Sequence, residues 1–414
     1  MPLRADDVAF LLTPEGARVA TEAARGLAED TAPLALLERL RREVGTEGAR
    51  AALWLAEGRR SAAPKFPDAH RLYFDRESAE QATSEVVARH TARRFEGARR
   101  VADLGCGAGA DTLALAGAAP VLAVDRDAGR VALTAANAAA RGLQGRVEAV
   151  EGDVGALALP AEVDAVWLDP ARRDASGRVL DPERWSPSLS ETLRIASGVT
   201  RAGIKVAPGI DLAAAPAGAE VEFISLDGRL VEAVLWLGEA VTAPRRATVL
   251  PPGDSLEGEA DAGRTPVGEP GRYLYDLDPS VGRASLVDVL AERLGAWLLS
   301  PDVAYLSADQ PQDSPFARRF RIEAWLPFSE RRLLERLREC GAARVEVMRR
   351  ASPVETNPLE VRLNRALKAH KAQRAEKPQQ ARSAGGTQKG DRVLTVALTR
   401  AAGQHVAIIA ERER

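Results

Sequence analysis

Cysteine is nearly absent: the 414-residue chain carries two, Cys106 and Cys340. A disulfide framework is therefore not expected, and a reducing, cytoplasmic location fits. Long apolar runs are also missing. No stretch approaches the roughly 20 apolar residues that span a bilayer, and the opening MPLRADDVAF lacks a signal-peptide pattern. No membrane role is expected. Histidine is scarce, and the scatter of His70, His90, His370 and His405 gives no metal-ligand spacing. No metal is expected, and His90 reads as a helix-surface residue.

What is present suits a folded protein of two or three domains, since 414 residues exceed one ordinary core and 45% are hydrophobic. The net charge of −2 hides an asymmetry. From Gly341 onward 15 Lys and Arg stand against 7 Asp and Glu, a surplus of +8 that leaves −10 for the first 340 residues. Such a tail fits a nucleic-acid-facing surface. A solvated polar insert fits it equally.

The chemistry gathers between Val101 and Ala116, VADLGCGAGADTLALA. Val101–Leu104 reads as a buried strand, Gly105, Gly107 and Gly109 as a tight turn, and Thr112 onward as a helix. Glycines there let backbone amides and a helix N-terminus approach a ligand closely. Cys106 fits the turn as a small packing residue. A second apolar run, VLAVDRD, ends at Asp125, about 20 positions after Asp103, where a carboxylate can take both ribose hydroxyls of an adenosine. RVEAVEGDV ends at Asp153, suited to an adenine amino group, and VDAVWLDPARR ends at Asp169-Pro170. Four strands ending in polar residues form the ligand edge of an open α/β sheet. Asp103 and Asp111 flank the turn and would repel a pyrophosphate, whereas they suit a cationic sulfonium and its amino-acid tail. That favours S-adenosylmethionine (SAM) over NAD.

The series DLGCGAG, VDRD, EGDV and DPARR resembles, in order and position, the motifs of class I SAM-dependent methyltransferases. With both flanks, the whole chain resembles bacterial methyltransferases that carry a THUMP-like C-terminal domain. The resemblance implies SAM as cofactor. Asp103, Gly105 and Gly107 would hold its methionine part, Asp125 its ribose, and Asp153 with Val154 its adenine, with Arg126 a further cofactor-binding candidate. In such enzymes a segment before the glycine turn closes over the cofactor, which would set Gln81, Ala82 and Thr83 near the methionine carboxylate; an ordinary exposed helix start is the alternative.

The implied fold class is α/β: a Rossmann-like class I methyltransferase sheet ending in an antiparallel hairpin, with an N-terminal helical region and a C-terminal α+β THUMP-like domain. Residues 1–62 read as helical, with Thr13 as a cap before Pro14, and form a cap on the catalytic domain or a face for substrate. Residues 63–238 form the methyltransferase domain. There a helix is expected from Glu80 to Phe95, with Ser78 as its cap, and strands joined at Asp227-Gly228 close the sheet. Residues 239–270, rich in Pro and Gly, read as a linker. Residues 271–414 hold a connecting region and the THUMP-like domain. YDLDPSVGRA and AYLSADQP resemble that connecting region, and a helix is expected from Ser285 to Leu298. Arg272, Tyr273, Tyr275, Asp278 and Arg283 either face the active-site mouth or pack between domains. THUMP domains proper bind RNA, so an RNA partner is implied. Relatives tend to carry a Lys-Arg-Gly step where this chain has Met348-Arg349-Arg350-Ala351.

Asp169-Pro170-Ala171-Arg172 stands where amino-group methyltransferases carry Asn/Asp-Pro-Pro-aromatic. By that likeness Asp169, Pro170 and Arg172 are the catalytic candidates, with Asp169 orienting the lone pair of an acceptor amine. Arg172 replaces the aromatic that would stack a base, so Trp185, Tyr73 and Phe74 become the stacking candidates, each also readable as packing. Arg172 and Arg173 either hold a substrate phosphate or pair with Asp174 and Asp181. No cysteine lies between Cys106 and Cys340, against a cysteine-nucleophile reaction at pyrimidine C5. The expected function is methyl transfer from SAM to tRNA or rRNA at a base nitrogen. The alternatives are a small-molecule or protein side-chain target, or a SAM-binding, RNA-associated module with little catalysis.

Overall fold

The structure, a computed structural model, describes residues 2–29, 32–171, 173–174, 177–179, 181–375 and 392–413. Arg172 and residues 376–391 of the polar stretch lie outside the described residues. Two compact units are present: Met1–Leu226 with Val231–Pro244, and Asp227–Leu230 with Arg245–Arg414. No helix among the described residues is long and apolar enough to cross a membrane.

The first unit opens with three helices, α1 (Ala5–Leu11), α2 (Pro14–Ala28) and α3 (Pro33–Ala62). The Thr13 hydroxyl accepts from the Gly16 amide at 3.0 Å, with Pro14 opening α2, so the expected cap is the one that forms. These helices share one buried core with the glycine-turn region: Leu3, Val8, Leu11, Leu36, Leu40 and Leu55 cluster with Ala108, Leu113 and Leu133. Each fully buried leucine contributes roughly 1.5–3 kcal/mol through the hydrophobic effect. The helical start of the chain is thus packed on the catalytic sheet's helices.

The helix expected from Glu80 to Phe95 is instead two, α4 (Arg76–Gln81) and α5 (Glu85–Ala92). Asp75, not Ser78, caps α4, and Ser78 returns the bond as the third residue of a capping box. The break has a physical cause. The Lys65 ammonium donates to the carbonyls of Ala79, Glu80 and Ala82 at 2.9, 2.7 and 2.7 Å. Those acceptors at the helix end are satisfied without another turn.

Seven strands and three further helices then follow in order: β1 (Val101–Leu104), α6 (Ala110–Ala118), β2 (Val121–Asp125), α7 (Ala128–Ala140), β3 (Val147–Glu151), β4 (Ala165–Leu168), α8 (Leu189–Ala196), β5 (Arg201–Val206), β6 (Glu220–Leu226) and β7 (Arg229–Gly238). The sheet runs β3-β2-β1-β4-β5-β7-β6. Its first five strands are parallel, with β1 between β2 and β4, and β7 joins β5 antiparallel. β1 is buried at every position, as VADL predicts. Asp227 and Gly228 both take positive φ, 51° and 74°, as the expected two-residue hairpin requires. Gly203 in β5 is required for packing, since a Cβ there would come within 2.8 Å of both Trp167 and Trp236.

The second unit begins with a ribbon where a linker was expected: β8 (Arg245–Leu250) and β9 (Asp254–Gly258) pair antiparallel. The Pro251-Pro252-Gly253 run that reads as linker is the turn between them. After β10 (Tyr273–Leu277), Asp278 caps α9 (Pro279–Arg283), and α10 (Val287–Leu294) ends at Gly295 in the left-handed conformation. The helix expected to reach Leu298 therefore stops early, and β11 (Trp297–Ser300) takes over. β12 (Val303–Ala308), β13 (Ala317–Pro327), α11 (Glu330–Glu339), β14 (Ala342–Arg349), α12 (Thr356–Ala375), β15 (Arg392–Ala401) and β16 (Gln404–Arg412) complete the chain. The second sheet runs β11-β12-β10-β13-β16-β15-β14, with β14 and β15 parallel. Leu333, Leu337, Leu359, Leu363 and Leu367 pack α11 and α12 onto it. Tyr275 is fully buried, and its hydroxyl accepts from the Gln312 amide at 2.8 Å. Tyr273 is buried too, so these tyrosines pack within their own unit.

Candidate active site

Parallel strands β1 to β5 all end at the same edge, so the segments that follow them converge there. After β1 the chain turns through Gly105, Gly107 and Gly109 at φ of 91°, 56° and 83°. Side chains rarely adopt such values, which explains the three glycines. Gly105 has a second reason: a Cβ there would stand 3.0 Å from the main-chain oxygen of Asp169. The β4 terminus thus lies directly against the turn. Around Gly107 a Cβ would meet nothing within 4 Å.

Asp125, half-buried at the end of β2, accepts from the Gly107 amide at 2.9 Å and from the Asp127 amide at 3.0 Å. One bond per oxygen leaves lone pairs for hydroxyl donors. Arg126 beside it is exposed. Asp153 is exposed beyond β3, where its Oδ1 accepts from the Gly155 amide at 2.9 Å, and Val154 is half-buried. Cys106 is buried with its Sγ 3.6 Å from Thr134 Oγ1, and burial pushes its thiol up, consistent with packing.

Asp103 is 1% exposed and accepts from the Thr112 hydroxyl. Burial, with the charge of Asp111 added, pushes its carboxyl up to about 8. A cationic amine beside it would favour the ionised form instead. Asp111 Oδ2 accepts from the Thr83 hydroxyl at 2.9 Å, and Asp111 Oδ1 is buried without a partner.

One side chain ties this group together, and the sequence reading did not single it out. The Lys205 ammonium, on β5, stands 2.6 Å from Thr83 Oγ1, 2.9 Å from Asp169 Oδ2, 3.4 Å from Glu232 Oε2 and 3.5 Å from Asp111 Oδ2. Burial alone would lower it, but Asp111, Asp169 and Glu232 outweigh that and hold it well above its ordinary range. Glu232, from β7, is also buried, its Oε1 has no partner, and burial pushes it up to about 7 against the pull of Lys205. The readable signal was a lone Lys and a lone Glu, each inside an apolar run. Lys205 pairs with Val234 across antiparallel strands, two residues from Glu232.

Among the sequence candidates, Thr83, Asp103 and Asp169 therefore meet in one cluster, and Gly107 meets Asp125. Gln81 does not join them: it is exposed and its amide donates to Glu77 at 3.3 Å. Pro170 is buried behind Asp169, and Arg172 lies outside the described residues. Trp185 is buried with its indole N–H on the Val179 carbonyl at 3.1 Å, and Phe74 is buried against Phe66. Both pack. Tyr73 is half-buried beneath the Arg59 guanidinium, 5.4 Å from the ring centroid. His90, expected on a helix surface, is only 15% exposed and pairs with fully buried Glu222 at 2.7 Å. No group of metal-ligating side chains occurs among the described residues.

The donor set fits SAM. Carboxylates at Asp103 and Asp111 suit a positive charge, open space at Gly107 admits a ligand, and Asp125 offers acceptors to a diol. A methyltransferase-domain model matches residues 101–181, and a THUMP domain-like model matches residues 317–412. Uncharacterized SAM-dependent methyltransferases from two strains of Mycobacterium tuberculosis are each 34% identical over 330 residues, 75% of this chain and 88% of theirs. A crystal structure of a protein provisionally assigned as a methyltransferase, from Porphyromonas gingivalis W83, superposes with a TM-score of 0.66 at 19% identity. The match covers 96% of this chain and 98% of that one, a likeness of fold. The chain belongs to the SAM-dependent methyltransferase family of its Mycobacterium tuberculosis relatives, as a class I enzyme with a THUMP-like C-terminal domain.

Proposed function

We propose that this enzyme methylates RNA in the cytoplasm, tRNA or rRNA, at a base nitrogen. The observation that supports the reading is the close approach of the Asp169 main chain to Gly105, which brings Asp169 to the cofactor turn as a candidate to hold an acceptor. When bound, SAM supplies an electrophilic methyl carbon on a cationic sulfur. Asp169 Oδ2 is held by Lys205, which leaves Oδ1 to accept a hydrogen bond from an amino group and direct its lone pair. An acceptor nitrogen held this way would keep its lone pair directed at the methyl position, and the one proton it sheds on methylation would pass to solvent. Asp103 would hold the ammonium of the methionine part, and Asp125 the ribose.

RNA as the substrate class rests on the THUMP domain-like match and on the surplus of +8 from Gly341 onward. The test is methyl transfer from methyl-labelled SAM to unmodified total bacterial RNA, with Asp169→Ala alongside. Label in RNA that the variant loses supports the reading, and nucleoside analysis names the modified atom. Tight SAM binding with no label in RNA overturns RNA as the substrate.

A further inference from the structure

Burying an ammonium among carboxylates is costly for a fold that an apolar side chain of similar length would serve. Lys205 is nevertheless 7% exposed, in the middle of the sheet, and reaches four oxygens contributed by four different segments. Two of those segments matter for chemistry. Thr83 follows α4, next to Ala82, whose carbonyl Lys65 holds. Asp169 ends β4 against the glycine turn.

We propose that Lys205 is the positioning residue of the methyl-transfer site, fixing the Asp169 carboxylate toward the acceptor while Asp111 and Glu232 hold the ammonium in place. The assignment rests on the methyltransferase reading of Asp169. Glycine leaves the Asp169 main chain in contact with the turn, but the side chain of a half-exposed aspartate still rotates about two bonds. A charge-assisted bond at 2.9 Å to an ammonium itself held by other carboxylates removes that freedom. Lys205 donates three hydrogens. Thr83 and Asp169 take the two shortest contacts, and Asp111 and Glu232 lie farther off on the same ammonium. The unpartnered Oε1 of Glu232 and Oδ1 of Asp111 mark these two as charge partners rather than fully bonded structural groups.

The experiment uses the full-length protein. Lys205→Met alone leaves three carboxylates facing one another and can unfold the unit, so Lys205→Met/Glu232→Gln is the working variant, with Lys205→Arg as the conservative one. Labelled SAM binding, turnover on total RNA and a crystal structure are compared with wild type. The expected result is a kcat about 100-fold lower, as loss of reactive alignment costs, with SAM affinity within about threefold. Lys205→Arg recovers part of the turnover, and the Asp169 carboxylate turns away in the double variant. A double variant that folds and keeps wild-type kcat overturns the assignment. An Asp169 carboxylate that holds its orientation there overturns it too, whether or not RNA accepts the methyl group. Absence of label in RNA with wild-type protein overturns only the substrate reading above.

Discussion

Asp103→Asn should make stability less sensitive to pH. In the folded protein burial pushes the Asp103 carboxyl up to about 8, from an ordinary value of 3.8. Between those values the folded state binds a proton that the unfolded state has released. Stability from this group is therefore complete below pH 3.8 and lost as pH rises toward 8. That displacement corresponds to a ceiling of ~6 kcal/mol, at about 1.4 kcal/mol per tenfold change in proton affinity. Asparagine keeps the shape and an acceptor for the Thr112 hydroxyl but cannot ionise. Urea unfolding of both proteins in steps from acidic to mildly alkaline pH isolates this group, because Glu232 titrates equally in each. The variant should gain on wild type by several kcal/mol across the window, and saturating SAM should narrow the gap by favouring the ionised carboxylate. Parallel stability curves would refute the account of Asp103 as a buried, neutralised acid.

Other predictions concern the turn and the loop facing it. Gly105→Ala should cost about 1–2 kcal/mol for its left-handed backbone and also displace Asp169, whose oxygen stands 3.0 Å from the new Cβ. Gly107→Ala has no such neighbour and should cost the backbone term alone, so thermal unfolding separates the two; equal destabilisation would count against the Asp169 contact. Lys65→Met removes three bonds from the Ala79, Glu80 and Ala82 carbonyls. At roughly 1.5–3 kcal/mol per charged hydrogen bond, hydrogen exchange around Ser84 should accelerate and SAM affinity weaken. Unchanged exchange would show that the loop is held by other contacts.

The primary sequence determined the local pieces of this enzyme. Its apolar runs stop at Asp103-Leu104, Asp125, Glu151 and Leu168-Asp169, and glycines stand where φ must be positive. Those are short-range properties, set by steric limits on the backbone and by which faces must leave water, so the glycine turn and the Asp227-Gly228 hairpin were legible in advance, while β3 stops at Glu151 rather than Asp153 and β4 at Leu168 rather than Asp169. The N-cap at Thr13 was legible for the same reason. Elements whose ends depend on distant side chains were not. The break after Gln81 exists because Lys65, earlier in the chain, satisfies the carbonyls there, while Ser84 opens the next helix as its N-cap. His90 reads as a surface residue until β6 brings Glu222 beneath it. The pairing of β8 with β9 was hidden by the Pro-Pro-Gly run that forms their turn. Lys205 is the clearest case. Within GIKV it is one charge in a strand, and only the parallel order of β4 and β5, with β7 antiparallel alongside, gathers Asp169, Asp111, Thr83 and Glu232 around its ammonium. A buried charge is tolerated only where partners from other strands compensate it, and sheet topology decides which partners those are.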